Sequence, residues 1–164
     1  MPEQEMSFGE DQLARIEACL QGLLANTKGV AVLFSSSAGQ PFGGVGSLSE
    51  NDRIALSTLA AGSFAATVAM SKLLGQAGAF DQVFFEGKKH SVHSSIVGDD
   101  SLLVVAFDSR TKPGLVRLMA QEAAKELLGV ILEAREKAID ESVRDLIDTE
   151  FGDSLADELD AMFP

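Results

Sequence analysis

The most constraining feature of this sequence is a run of eighteen uncharged residues, IALSTLAAGSFAATVAMS, from Ile54 to Ser71. As a helix it would be roughly 27 Å long, at about 1.5 Å per residue, so a membrane span has to be considered first. The bulk of the run comes from alanine rather than leucine, and the polar residues Ser57, Thr58 and Thr67 interrupt it, which makes a poor insertion sequence. We therefore predict no membrane span and a helix that belongs to a folded domain.

Small side chains recur along this helix at spacings of three and four residues. Such spacings put residues on neighbouring turns, where they let another backbone come very close. We predict that the flank with the larger apolar residues lies on the core and that the small flank faces a partner. A helix simply buried within its own domain is the alternative. The large residues are Ile54, Leu59, Met70, Leu73 and Leu74, and the small ones are Thr58, Ala61, Gly62, Ala65, Ala66 and Ala69.

The charge of the chain is strongly acidic and unevenly placed. The formal net charge is −12, which argues against nucleic acid or anionic lipid as the main partner. Residues 138–164 hold nine acidic residues and one basic residue, so this segment alone contributes −8. A hydrophobic content of 46% excludes wholesale disorder, so we predict a folded body with an acidic tail.

The single cysteine and the first residues indicate the compartment. Cys19 has no second cysteine to pair with, which fits a reducing environment, and its place beside an apolar helical stripe is typical of a small core residue. The opening MPEQEMSFGEDQ has no basic region followed by an apolar one. We therefore expect a cytoplasmic protein.

Hydrophobic periodicity predicts three helices and five strands. The strands 30–34 and 102–107 are apolar on both faces, so helices should cover both sides of the sheet, and 102–107 should be central. Ser49 should cap the second helix, with Asp52 three residues on. We predict an α+β, three-layer fold with a five-stranded, mostly antiparallel sheet, the second helix on one face and the other two helices on the opposite face. The expected order is a helix at 8–27, strands at 30–34 and 41–46, a helix from Ser49 to about Gly75, strands at 81–87, 88–97 and 102–107, and a long helix from Gly114.

Residue patterns for catalysis, cofactors or metals are missing from the sequence. Gln82 stands where a phosphate-binding loop ending in Gly87-Lys88 would need its first glycine. His90 and His93 are three apart in a predicted strand, so they point to opposite faces and cannot share a metal ion. Asp108 and Arg110 are close enough to pair at a strand end, where such a pair more often fixes a loop. We expect no cofactor, no metal and no enzyme activity of the chain's own.

The run from Phe107 to Arg117, which reads FD-x-R-T-x-x-G-L-V-R, resembles the Roadblock family. The order of elements, the alanine-rich second helix and Glu86-Gly87 after the third strand add to the resemblance, which covers roughly residues 8–135. Within the family, the chain is most similar to the proteins of bacterial gliding motility. The implied fold is the α-β-β-α-β-β-β-α Roadblock domain.

The resemblance implies a homodimer. Two sheets would join edge to edge through their third strands, and the two central helices would pack across the two-fold axis. The residues that this arrangement would place in the interface are Leu59, Gly62, Ala66, Val83, Phe84 and Phe85.

The resemblance also implies a partner, a Ras-like small GTPase of the MglA type from gliding motility and cell polarity, whose GTP hydrolysis the dimer stimulates. A polarity role would place the protein at a cell pole. The GTPase is expected to supply its own arginine, although Arg110 and Arg117 remain candidates. A Roadblock scaffold that tethers a motor or signalling complex without changing hydrolysis is the alternative. The residues expected to contact the GTPase are Ala61, Ala65, Ala69 and Lys72.

The acidic tail carries apolar residues at helical spacing on both sides of Gly152. One interpretation is a frayed, solvating tail, and the other is a short helix that docks its apolar face in a groove. The resemblance adds that some relatives carry a C-terminal helix that contacts the GTPase. The predicted organisation is a flexible N-terminus at 1–7, the Roadblock domain at 8–137 and the tail at 138–164. The predicted docking residues are Phe151, Leu155, Leu159 and Phe163.

Overall fold

The computed structural model describes residues 5–78 and 80–163. The predicted flexible N-terminus at 1–7 lies partly outside the described residues, as do one position of the predicted loop 76–80 and the last position of the tail. By their internal contacts, the residues form two compact units. One unit is Gly9–Val130, and the other combines, among the described residues, 5–8 with 131–163.

The larger unit contains a single antiparallel sheet in the order β2-β1-β5-β4-β3. The predicted five-stranded sheet is confirmed, with the strand around 102–107 at its centre and the strand at 41–46 on one edge. The elements along the chain are α1 Glu10–Thr27, β1 Ala31–Ser36, β2 Pro41–Gly46, α2 Glu50–Leu73, β3 Gln82–Phe85, β4 His90–Val97, β5 Ser101–Asp108 and α3 Pro113–Met162.

Helix α2 covers one face of the sheet. Ala60 packs with Leu33 and Val104, and Phe64 packs with Leu102, so side chains from both central strands meet the helix. These side chains are removed from water, and their burial is the main favourable term in holding the helix to the sheet.

Helices α1 and α3 lie on the opposite face of the sheet. Ile16 and Leu20 of α1 approach the position where Gly43 of β2 would carry a side chain. The thiol of Cys19 donates to the carbonyl of Ala123 in α3 at 3.7 Å, so the two helices pack together. The predicted three layers are confirmed, and both faces of β1 and β5 are covered because both strands are apolar on both sides.

The start of α2 is fixed by two sets of hydrogen bonds. Ser49 accepts from the backbone N–H of Asp52 at 3.1 Å, which confirms the predicted N-cap. One turn later the guanidinium of Arg53 donates to the carbonyls of Leu48, Gly44 and Gly46 at 3.1, 2.8 and 2.8 Å. A single side chain therefore ties the helix to strand β2, which precedes it.

In the smaller unit, α3 continues as a helix to Met162. Every described residue from Glu136 onward is exposed. Gly152 lies inside the helix, where a glycine costs roughly 1 kcal/mol relative to alanine.

Candidate functional site

The face of α2 that meets the sheet is made of small and hydroxyl-bearing residues, with Phe64 as its one large buried side chain. Thr67 and Ser71 satisfy their hydroxyls within the helix, by donating to the carbonyls of Phe64 and Val68 at 2.8 Å. The buried residues of α2 are Ser57, Ala60, Ala61, Phe64, Thr67 and Ser71.

The predicted orientation of α2 is wrong in one respect. The large apolar residues expected on the core are exposed, with Leu59 at 70% and Leu73 at 88%, and Ile54, Met70 and Leu74 are also on the surface. The sheet supplies the bulk of this core layer through residues such as Leu33 and Leu102, so a helix with small residues can pack closely on it. The five residues expected on the core are therefore left facing solvent, whereas Phe64 packs on the sheet.

The predicted GTPase-facing residues divide between the two sides of α2. Ala65, Ala69 and Lys72 are exposed, and Ala65 and Ala69 lie one turn apart. Ala61 is only 7% exposed because it packs with Phe64 and Leu102. Its assignment to the partner surface is corrected, since it belongs to the core of its own chain.

The exposed face of α2 is apolar, and we call it the α2 face. Apart from Lys72 it carries no charge between Ala55 and Leu73. Of the described helices, α2 is the one long and apolar enough by length and composition to cross a membrane. In this fold the side of α2 opposite the exposed face packs on the sheet and is part of the protein core. The α2 face comprises Ala55, Thr58, Leu59, Gly62, Ala65, Ala66, Val68, Ala69, Met70, Lys72 and Leu73.

Strand β3 adds further exposed apolar surface at the edge of the sheet. Among the strands that the structure describes, β3 lies at the edge of the sheet and pairs with β4. Val83 packs on the α2 side with Phe64, whereas Phe84 stacks on Phe107 of β5 with ring centroids 6.1 Å apart. Phe84 and Phe85 remain 43% and 51% exposed, so the edge has both unpaired backbone and aromatic side chains to offer.

The three predicted dimer residues on α2 lie on the same exposed face as Ala65 and Ala69, which were predicted to contact the GTPase. Leu59, Gly62 and Ala66 are all exposed, and a side chain at Gly62 would meet nothing within 4 Å. The α2 face and the β3 edge are thus two apolar surfaces of the larger unit that hold residues predicted to contact partners.

His93 is a buried polar residue whose importance the sequence did not reveal. It lies in β4 at 4% exposure, with Nε2 3.2 Å from Oε1 of Gln82, and none of the described residues forms a hydrogen bond with Nδ1. Burial lowers the pKa of His93 below its usual 6.5, and the nearby charge of Arg117 lowers it further. A neutral imidazole is therefore part of the folded structure, on the side of the sheet that faces α3.

The predicted pair of Asp108 and Arg110 is present. The guanidinium Nε of Arg110 donates to both carboxylate oxygens of Asp108 at 3.0 and 2.9 Å, and its backbone N–H donates to Oδ1 at 2.9 Å. These hydrogen bonds hold the pKa of Asp108 below its usual value. The pair fixes the loop after β5, which is the structural role predicted for it.

A shallow groove of about 490 Å³ runs between α1 and α3 but contains no catalytic arrangement. Burial, together with the nearby Glu126, raises the pKa of the Cys19 thiol to about 12, so this group is a poor nucleophile. Across residues 5–78 and 80–163, no three His, Cys, Asp or Glu side chains are grouped so that they could hold a metal ion.

All four predicted docking residues of the tail are exposed side chains on the helix or just after it. Phe151, Leu155 and Leu159 lie within α3, and Phe163 follows its last residue. Each is at least 43% exposed, which is unusual for so many large apolar residues in one segment.

This chain belongs to the Roadblock/LC7 domain family, whose profile matches residues 8–107. The fold, with helices on both faces of a five-stranded antiparallel sheet, is the Roadblock fold. It is the fold of a regulatory domain rather than of a catalytic one. No curated protein sequence matches the chain significantly.

Solved structures of MglB are similar to this chain over most of its length. MglB of Myxococcus xanthus is 33% identical with a TM-score of 0.72, and the match covers 78% of this chain and 96% of that one. The gliding protein MglB of Thermus thermophilus is 27% identical with a TM-score of 0.73, covering 80% and 98%. A further structure, described as MglB with a tetrameric arrangement, is 27% identical with a TM-score of 0.75, covering 80% and 98%.

Proposed function

We propose that this protein is a homodimeric activator of a Ras-like bacterial small GTPase of the gliding-motility or polarity type, and that it acts in the cytoplasm. The observation that carries the proposal is the α2 face, a nearly uncharged apolar surface on a chain similar to MglB over 78% of its length. Single protomers rarely leave such a surface in water unless a partner covers it.

The dimer is proposed to form through the β3 edge and part of the α2 face. An unpaired strand edge accepts a second strand by backbone hydrogen bonds, and a two-fold axis would bring the same edge from the other copy. Phe84, Phe85 and Leu59, all exposed in the protomer, would then be covered. The tetrameric arrangement described for one MglB structure supports self-association as a property of these proteins.

Ala65 and Ala69 are proposed to contact the GTPase. Their small side chains, one turn apart and exposed, permit a close approach, and Lys72 supplies a positive charge at the end of the same surface. The activator would work by holding the switch regions of the GTPase in the hydrolytic arrangement, with the catalytic arginine supplied by the GTPase.

Neither candidate arginine lies on the α2 face. Arg117 is on α3, on the other side of the sheet, and Arg110 is engaged by Asp108. This placement supports activation without an inserted arginine. Arg110→Ala and Arg117→Ala should each retain stimulation of hydrolysis. A drop of about a thousandfold or more with binding retained would instead identify an arginine finger.

The decisive measurement is phosphate release from the cognate GTPase with and without this protein. Ala65→Arg and Ala69→Arg should each abolish stimulation and weaken binding by at least about tenfold, since a long charged side chain blocks close approach. Ala14→Arg, at an exposed alanine of α1, is the matched control and should retain full stimulation.

Three outcomes separate this proposal from its alternatives. Stimulation that survives arginine at both Ala65 and Ala69 would remove the α2 face from the mechanism. Tight binding without any change in hydrolysis would identify a Roadblock scaffold instead of an activator. Absence of binding to the GTPase would overturn the proposal as a whole.

A further inference from the structure

One end of the sheet carries basic side chains that stand out in a chain of net charge −12. Because His90 pairs with Asp108, the hairpin between β3 and β4 lies beside the loop between β5 and α3. These two segments and the first turns of α3 bring together five basic residues against two acidic ones, Glu86 and Asp108. We call the five the basic end, and they are Lys88, Lys89, Arg110, Lys112 and Arg117.

The basic end is exposed and largely unneutralised. All five residues are on the surface, and Arg110 is the one paired with Asp108. In the part of the chain that the structure describes, Lys88, Lys89 and Lys112 have no ion pair. Positive charge beside the start of a helix runs against the usual preference for acidic residues there, and α3 has no acid in its first turn. Sequences that depart from such a local preference often do so for a partner.

Exposed leucines adjoin the basic end. Leu115 and Leu118 lie in the first two turns of α3 and are 41% and 53% exposed, while Val116 between them is fully buried. Apolar side chains bordered by lysine and arginine suit an acidic amphipathic helix, whose apolar stripe is covered while its carboxylates meet the basic rim.

The tail of this chain has the matching pattern. We call the apolar residues Ile147, Phe151, Leu155 and Leu159 of the tail helix the tail stripe. Adjacent helical residues are about 100° apart, so a residue next in sequence to one of these lies along the border of the stripe. Asp148 and Glu150 stand beside Ile147 and Phe151, and Glu158 and Asp160 stand on either side of Leu159. The stripe and its acidic borders are exposed throughout.

We propose that the acidic tail of one copy docks on the basic end of a second copy. Opposite charge on the two surfaces attracts them, and the exposed leucines and the tail stripe lose apolar surface to water on contact. Pairing of tail with tail is disfavoured, because each contributes −8. The contact does not involve the α2 face or GTPase binding, so this proposal can be tested independently of the proposed function.

Reciprocal charge reversal in the full-length chain tests the proposal, with self-association measured by sedimentation velocity. Lys88→Glu/Lys89→Glu and Glu158→Lys/Asp160→Lys should each weaken self-association by at least about tenfold. Mixing the two variants should restore it, since each variant then presents the charge that the other lacks. Lys125→Glu is the control, because it also replaces an exposed lysine by an acidic residue, at another position on α3. It should leave self-association unchanged. High salt should weaken the wild-type contact.

A Leu59→Asp background isolates the tail contact from association through the α2 face. Charge reversal should still change self-association there, and the mixed variants should still rescue it. Failure of the mixture to restore association overturns the proposal. Loss of GTPase binding by Glu158→Lys/Asp160→Lys, with self-association unchanged, would assign the tail to the GTPase and overturn it as well.

Discussion

At the scale of single residues, His93 illustrates how burial converts an ordinary side chain into a source of pH dependence. Its ring is buried, with Nε2 beside Oε1 of Gln82 and with no hydrogen-bond partner for Nδ1 among the described residues. The positive charge of Arg117 disfavours a positive charge on the imidazole ring. The folded state therefore favours the neutral form, and protonation acts against folding.

We predict that the folded protein loses stability as the pH falls below about 6.5. The folded-state pKa of His93 is lowered, so between the usual value of 6.5 and the folded value the unfolded chain binds the additional proton. Unfolding free energy should then fall by up to about 1.4 kcal/mol per pH unit from this group, and above pH 6.5 the effect should vanish. Urea denaturation from pH 5 to pH 8 measures the slope.

His93→Gln should flatten that slope, because the amide does not titrate and still reaches Gln82. The comparison needs a fixed protein concentration, since association adds to the apparent stability. An unchanged slope in His93→Gln would show that another group causes it.

At the scale of elements, Arg53 has more influence on α2 than its position in a polar turn suggests. Its three hydrogen bonds reach the carbonyls of two glycines in β2 and of Leu48. A side chain at Gly44 would begin 3.2 Å from Cδ of Arg53 and 2.9 Å from Cδ2 of Leu33, so glycine at this position leaves room for the arginine side chain.

We predict that Arg53→Ala destabilises the fold by about 1.5–3 kcal/mol, because charge-assisted hydrogen bonds to carbonyls are lost at a partly buried site. Arg53→Lys should recover only part of this, since an ammonium group cannot copy the planar fork. Chemical denaturation at fixed protein concentration measures both. A loss below about 0.5 kcal/mol in Arg53→Ala would contradict this role of the guanidinium.

Most elements could be predicted from the sequence because each carries its own local signal. Alternation or continuous apolar runs marked the strands, and Ser49 with Asp52 marked the start of α2. The hydrogen bonds of Arg53 and the His93–Gln82 pair could not be predicted, because each joins residues through strand pairing or a turn rather than through spacing along one element.

At the scale of the whole molecule, the protomer exposes apolar surface on α2 and at the β3 edge that self-association would cover. Leu59 is 70% exposed, so an aspartate there should leave the protomer folded. We predict that Leu59→Asp raises the dimer dissociation constant by at least about tenfold, as measured by sedimentation equilibrium.

Leu13→Asp is the matched control for that experiment. Leu13 is also an exposed leucine on a helix surface, at 44%, but it lies on α1, across the sheet from the α2 face. It should leave the dimer intact. If both variants dissociate equally, or if neither dissociates, then α2 is not part of the dimer interface.

The sequence by itself determined the order of elements, the doubly covered sheet, the acidic tail and the small-residue character of α2, because each depends on residues close together in the chain. The tertiary structure alone decided which side of α2 meets the sheet. The apolar residues of α2 occur on all of its sides, so the periodicity of its sequence did not distinguish a core side from an exposed side. The side chains of β1 and β5 fill the layer beneath it, so Ala60 and Ala61 pack inward and Leu59 and Leu73 are left outside.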